Sequence, residues 1–124
     1  MATILIIDDS RFTRSNIAKS LRNSSYEVLE ADNGIAGLDM IIKHTPDFVI
    51  TDLLMPEMDG FELLENLRSR GIAVPVIVMS ADIQETTRRR IMELGAKTLL
   101  NKPFQSTTLL ETLRNLTASE SEKK

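Results

Sequence analysis

The sequence predicts an α/β fold of the doubly wound kind, a five-stranded parallel sheet with helices on both faces. Short apolar runs alternate with amphipathic stretches along the chain, and turn or cap residues fall between them. Three of the runs (Ile4-Leu5-Ile6-Ile7, Phe48-Val49-Ile50 and Val76-Ile77-Val78) are continuous rather than alternating. Strands covered on both faces look like that.

The elements follow in order. Thr3–Ile7 reads as the first strand, and Ser10–Arg22 as a helix with Ile17 and Leu21 its clearest inward pair. Glu27–Glu30 is flanked by charge and suits an edge strand, and Asp32-Asn33-Gly34 reads as a turn. Ile35, Leu38, Ile41 and Ile42 share one helical face before the strand at Asp47–Thr51. Asp59 with Glu62 resembles a capping box opening the helix of Phe61, Leu64 and Leu67. After the strand Val76–Met79, Asp82 with Glu85 resembles a second box, opening a helix that carries Ile83, Thr87, Ile91 and Leu94. Gly95 falls where a helix C-terminus wants a left-handed residue. Thr98–Leu100 is the last strand, and Leu109, Leu113 and Leu116 stripe the last helix. Five strand-then-helix units require right-handed crossovers between parallel strands.

Composition narrows the function classes. A chain of 124 residues holds one domain, expected over residues 1–117, with a polar, frayed tail at 118–124. With 42% hydrophobic and 27% charged residues a packed core is expected, not disorder. A net charge of −3 argues against binding nucleic acid or acidic lipid by bulk attraction. The absence of cysteine excludes disulfides, thiolate zinc sites and cysteine nucleophiles. No apolar run reaches the roughly 18 residues of a membrane span, and Asp8 and Asp9 interrupt the N-terminal run. A soluble cytoplasmic protein is expected.

In an open parallel sheet, ligands bind beyond the carboxyl ends of the strands. Asp8 and Asp9 follow the first strand, Asp52 the third, Ser80 the fourth and Asn101-Lys102-Pro103 the fifth. A lone Asp at a strand end is usually a helix cap, but that reading does not explain a set spread over four strand ends. Three crowded carboxylates repel, and burial raises their pKa values. A hard divalent cation resolves the conflict, and Mg²⁺ commonly takes one or two carboxylates together with phosphoryl oxygens. Lys102 is a flexible point charge suited to a phosphoryl oxygen, and Ser80 can donate to another. Asp52 is then either a metal ligand only, or a ligand and a nucleophile that forms an aspartyl phosphate.

The motifs Asp8-Asp9-Ser10, the loop Thr51-Asp52-Leu53-Leu54-Met55-Pro56-Glu57-Met58-Asp59-Gly60, Met79-Ser80-Ala81, Gly95-Ala96 and Lys102-Pro103-Phe104 occur in this order. From Ile4 to about Leu116 the chain resembles the receiver domain of two-component response regulators, as a stand-alone, chemotaxis-regulator-like member. The resemblance implies a flavodoxin-like strand order 2-1-3-4-5. It implies that Asp52 accepts a phosphoryl group from a phosphohistidine on a sensor histidine kinase or a histidine phosphotransfer protein. Asp9, Asp52 and the backbone carbonyl of Leu54 would bind Mg²⁺ directly, with Asp8 acting largely through water. Lys102 would pair with the phosphoryl group, Ser80 would move to hydrogen-bond it, and the Lys102–Pro103 peptide would be cis. Such a chain is a regulatory phosphoacceptor rather than an enzyme acting on other substrates, and it signals by switching an unknown protein target. The alternative is a degenerate receiver that binds partners independently of phosphorylation.

The chain departs from the family at Leu99, where an aromatic or histidine switch residue is usual. An aliphatic side chain without a polar tip is expected to prefer the interior, muting or rerouting any change there. Leu54 and Asp82 would flank the phosphoryl group and push its lifetime in opposite directions. Arg14, Lys19 and Arg22 on the first helix lie on the family's usual kinase-docking surface. Arg88-Arg89-Arg90 would fan around its helix as solvated charge, and His44 is expected as a cap or surface residue. Gly95–Asn101 lacks the acidic residues often used for receiver dimers, so a monomer is expected. A haloacid-dehalogenase-type phosphatase would need an acid/base Asp where Leu54 stands. A flavin-binding protein would want a phosphate loop where Asp8 and Asp9 stand.

Overall fold

The computed structural model of the chain describes residues 1–82 and 84–122, the side chains of 119–122 aside. Five strands, β1 (Thr3–Ile7), β2 (Glu27–Ala31), β3 (Phe48–Asp52), β4 (Val76–Ser80) and β5 (Thr98–Asn101), alternate with five helices. The helices are α1 (Arg11–Asn23), α2 (Gly34–His44), α3 (Gly60–Ser69), α4 (Glu85–Glu93) and α5 (Ser106–Glu122). The strands pair in parallel in the order β2-β1-β3-β4-β5. The expected fold class and strand order hold.

Alternate strand residues enter two separate cores, because successive side chains of a strand point to opposite faces. Leu5, Ile7, Val49 and Val78 pack with Leu38, Ile41, Leu63, Leu67 and Ile91 from α2, α3 and α4. Ile4, Ile6, Ile50, Ile77 and Met79 pack with Ile17, Leu21, Leu109 and Leu113 from α1 and α5. Each fully buried aliphatic side chain contributes about 1.5–3 kcal/mol, and the two layers together hold the sheet rigid beneath its rim.

Local chemistry fixes the helix ends. Ser10 caps α1 by accepting from the Thr13 N–H, and Asp59 and Glu62 form the expected reciprocal box at α3. Gly95, at φ 107°, ends α4 as expected, its N–H bonding the Met92 carbonyl while the Ala96 N–H bonds that of Ile91. This is the Schellman arrangement. Thr45 closes α2 at φ 44°, directly after His44.

Three local expectations need correction, and a fourth needs completing. The chain bends at Asp32-Asn33 as expected, and the same turn opens α2: Asn33 caps it through the Ala36 N–H, and Gly34 is the first helical residue. A Cβ at Gly34 would overlap the Met58 carbonyl, so the helix enters there only with glycine. Ile35 and Ile42 do not share the buried face of Leu38 and Ile41; they are 52% and 49% exposed. Close approach of Gly37 to Ile7 sets α2 so that Gly37, Leu38 and Ile41 are buried toward the sheet, with Gly34 against Met58 and the two isoleucines more exposed. Asp82 is not the N-cap of α4, which is Gln84 without a side-chain cap bond. The polar stretch expected to fray after Thr117 continues in helix to Glu122, since adding residues to a formed helix is far easier than nucleating one. Ile83, expected on the inward face of α4, lies outside the described residues.

Candidate functional site

The parallel register brings the strand ends to one level. Asp52 pairs with Met79 in the β3–β4 ladder, and Ser80 pairs with Asn101 in the β4–β5 ladder. The ladder direction carries on one residue further, with the Lys102 N–H bonding the Ser80 carbonyl at 2.9 Å. The Lys102–Pro103 peptide is cis. Asp8 follows β1 directly, and its N–H bonds the Ala31 carbonyl of the edge strand at 3.1 Å.

Asp8, Asp9 and Asp52 each offer a carboxylate oxygen within 4.8 Å of the others'. Their environments differ. Asp8 is fully buried, and its Oδ1 accepts the Ser10 N–H at 2.9 Å. Asp9 is exposed. Asp52 is partly buried, its Oδ1 accepting the Leu53 N–H at 2.9 Å. Lys102 bridges two of the anions, with its Nζ 3.3 Å from Asp8 Oδ2 and 3.4 Å from Asp52 Oδ2. Burial pushes the Asp52 carboxyl above its ordinary pKa; the Lys102 ammonium opposes that shift and the Asp8 carboxylate adds to it. An all-oxygen, carboxylate-rich donor set of this kind suits a hard divalent cation.

Ser80 is buried at the same rim, and its Oγ accepts the Asp82 N–H at 2.9 Å. That leaves the hydroxyl proton free to donate. Leu99 is buried, 8% exposed, in the core beneath α2, α3 and α4. Leu54 is 69% exposed beside the acceptor. It borders a groove of about 1430 Å³ that runs from Asp52 and Lys102 between α1 and the start of α5, past Phe12, Ile17 and Phe104.

Some features of the rim escaped the sequence. Arg14 is not a free docking charge: its Nη1 donates to the Asp8 carbonyl at 2.6 Å and its Nε pairs with Glu30 at 3.2 Å. Arg22 shares the same carboxylate at 3.4 Å. Two of the three basic residues expected on the docking face therefore brace α1 against the edge strand, and Lys19 alone of them lines the groove. No local spacing links Arg14 to Glu30, which lie on different elements. Phe12 is 78% exposed at the groove, a position no periodic pattern marks. Arg90, from the basic run expected to be solvated, stacks 4.1 Å over the Phe61 ring and reaches Glu65 at 3.7 Å.

Comparison with known proteins agrees with this fold. The sequence profile of the response regulator receiver domain matches residues 4–114. Response regulator MprA of Mycobacterium sp. (strain KMS) is 37% identical over 113 residues, 91% of this chain. The chain spans about half, 49%, of that relative's length. Chemotaxis protein CheY4 of Vibrio cholerae superposes with a TM-score of 0.88 at 32% identity, covering 93% of this chain and 98% of that one. The Francisella response regulator 1452 receiver domain gives 0.92 at 26% identity, covering 97% and 99%. With its 2-1-3-4-5 sheet and its acidic rim, this chain belongs to the response regulator receiver domain family of two-component systems.

Proposed function

We propose that the chain accepts a phosphoryl group from a phosphohistidine onto Asp52, in a Mg²⁺-dependent reaction, and thereby switches its binding to a protein partner. The observation that carries this reading is Lys102 Nζ held between Asp8 and Asp52, 3.3 and 3.4 Å away, at the mouth of a carboxylate cluster. An ammonium in that position already compensates two anions and can turn to a third.

In the proposed step an Asp52 carboxylate oxygen forms a bond to phosphorus as the phosphorus–nitrogen bond of the donor imidazole breaks. The imidazole nitrogen keeps the bonding pair and takes a proton from solvent. Lys102 and the Ser80 hydroxyl donate to the phosphoryl oxygens, where charge must be stabilised in transfer. Asp9, Asp52 and the Leu54 carbonyl would hold Mg²⁺, with Asp8 acting through water; when bound, the ion neutralises carboxylate and phosphoryl charge. The product adds about −1.5 to −2 charge to the rim, by analogy with phosphorylated hydroxyl side chains. Ser80 would transmit the change, while any movement at the switch position, the buried Leu99, would be muted or rerouted. Differential binding of a few kcal/mol suffices to exchange the dominant population.

The donor would be a sensor histidine kinase or a histidine phosphotransfer protein docking along α1, with Phe12 and Leu54 bordering the approach to Asp52. A monomeric cytoplasmic receiver over residues 1–117, followed by the polar segment 118–124, fits this role. Among the described residues no helix is long and apolar enough to cross a membrane.

The test is incubation with a small phosphodonor, with and without Mg²⁺, comparing wild type with Asp52→Asn by intact mass. A phosphoryl adduct is expected only on wild type and only with the metal. Equal adducts on both proteins would remove Asp52 from its role, and no adduct under any condition would leave a phosphorylation-independent binding module.

A further inference from the structure

The hydrogen bonds that leave Ser80 run on to α4. Ser80 Oγ accepts the Asp82 N–H at 2.9 Å, while the Asp82 carboxylate accepts the Gln84 N–H at 3.0 Å and, through its other oxygen, the Thr87 hydroxyl at 2.9 Å. Thr87 belongs to the first turn of α4, whose N-cap Gln84 makes no side-chain cap bond. This helix is lightly anchored: Ile91 is the buried residue that it gives to the core. Its far half is tied down by Arg90 over Phe61 at 4.1 Å, by Arg68 Nη1 donating to the Glu93 carbonyl at 3.1 Å, and by the bonds closing at Gly95. The near half is held through the Asp82 carboxylate. Asp82 borders the same groove as Asp52 and Ser80.

From this chain of bonds we infer that Asp82 is a positioning residue: its carboxylate latches the first turn of α4 at rest, and an anion arriving on Asp52 releases it. The inference rests on the phosphoacceptor reading above. Two forces act together. The Ser80 hydroxyl, turning to donate to the new anion, withdraws its oxygen from the Asp82 N–H. The anion also repels the Asp82 carboxylate, which is exposed, so solvent can take over its hydrogen bonds once they break. Thr87 then loses its acceptor. The near end of α4 moves while the far end stays pinned to α3, so the helix pivots about Arg90 and Gly95.

The test uses the full chain with beryllofluoride and Mg²⁺ as the probe, following backbone amide resonances during titration. If breaking the Asp82–Thr87 bond opposes binding, Thr87→Val binds the probe about three- to tenfold tighter, the worth of one exposed, charge-assisted hydrogen bond. Its first-turn amides, free of ligand, shift toward their positions in bound wild type, while those near Met92 stay in place. Thr87→Ser, which keeps the hydroxyl, stays near wild type. Asp82→Ala also binds more tightly, and the double variant binds no more tightly than Asp82→Ala alone, since Asp82→Ala already lacks the bond that Thr87→Val removes. Wild-type affinity in Thr87→Val, or fully additive effects, would overturn the latch while leaving the phosphoacceptor standing. Failure of wild type to bind the probe would overturn the phosphoacceptor reading, and the latch with it.

Discussion

Asp52→Asn should make the metal-free protein more stable, although it removes the residue on which the proposed function depends. At an effective dielectric constant near 20, Lys102 at 3.4 Å attracts the Asp52 carboxylate by about 5 kcal/mol. Asp8, within 4.8 Å, repels it by about 3.5 kcal/mol or more. The two nearly cancel, so the cost of taking a carboxylate out of water decides the sign, and burial pushes the Asp52 pKa upward. A carboxyl whose folded pKa is raised binds more protons in the folded than in the unfolded state. Stability therefore falls as pH rises from the ordinary value of 3.8 through the raised one, and the penalty is complete above it. The asparagine amide keeps an oxygen for the Leu53 N–H and carries no charge, and Lys102 retains Asp8. A gain on the order of 1 kcal/mol at pH 7 follows, or roughly 4 °C in Tm for a domain of this size. The assay is urea unfolding followed by circular dichroism in chelator, at pH 7 and again near pH 4. The gap should narrow near pH 4 and close only well below 3.8, where both states protonate Asp52, and it should narrow at pH 7 when Mg²⁺ binds wild type preferentially. An Asp52→Asn variant no more stable than wild type in chelator at pH 7, or a gap that widens on acidification, would refute the argument.

Lys102→Met leaves the buried Asp8 without its cation and withdraws a donor from the phosphoryl oxygens. Phosphoryl uptake from a small donor should slow by about 10²–10³-fold, read as the initial rate of mass increase. Gly37→Ala should destabilise the fold, although alanine favours a helix interior by about 1 kcal/mol over glycine. Its Cβ would stand 2.8 Å from Ile7 Cγ1 and closer still to Cδ1, and overpacking of that kind costs about 1–3 kcal/mol. A Tm at or above wild type would show that α2 can lift from β1 at no cost.

The sequence by itself determined the layers and the rim. Continuous apolar runs at Ile4–Ile7, Phe48–Ile50 and Val76–Val78 suit strands covered on both sides, and the structure buries all of them. Because every strand of a parallel sheet points the same way, residues that follow strands must gather at one edge, so Asp8, Asp52, Ser80 and Lys102 could be placed together from their positions alone. Strong local codes were legible too: the reciprocal bonding of Asp59 with Glu62 lies within one helical turn, and Gly95 needs nothing beyond its own backbone freedom. Tertiary structure decided what depends on elements distant in the chain. Whether Ile35 and Ile42 face the core turned on how closely Gly37 lets α2 approach Ile7, a packing distance that periodicity does not contain. Arg14 and Arg22 brace α1 against the edge strand because β2 carries Glu30 alongside α1. Asp82 reached past the expected cap position to Thr87, since the path of the loop after β4, held by Ser80, set where its carboxylate could go. Periodicity records which way a side chain must face; it carries no information on which neighbour will be there to meet it.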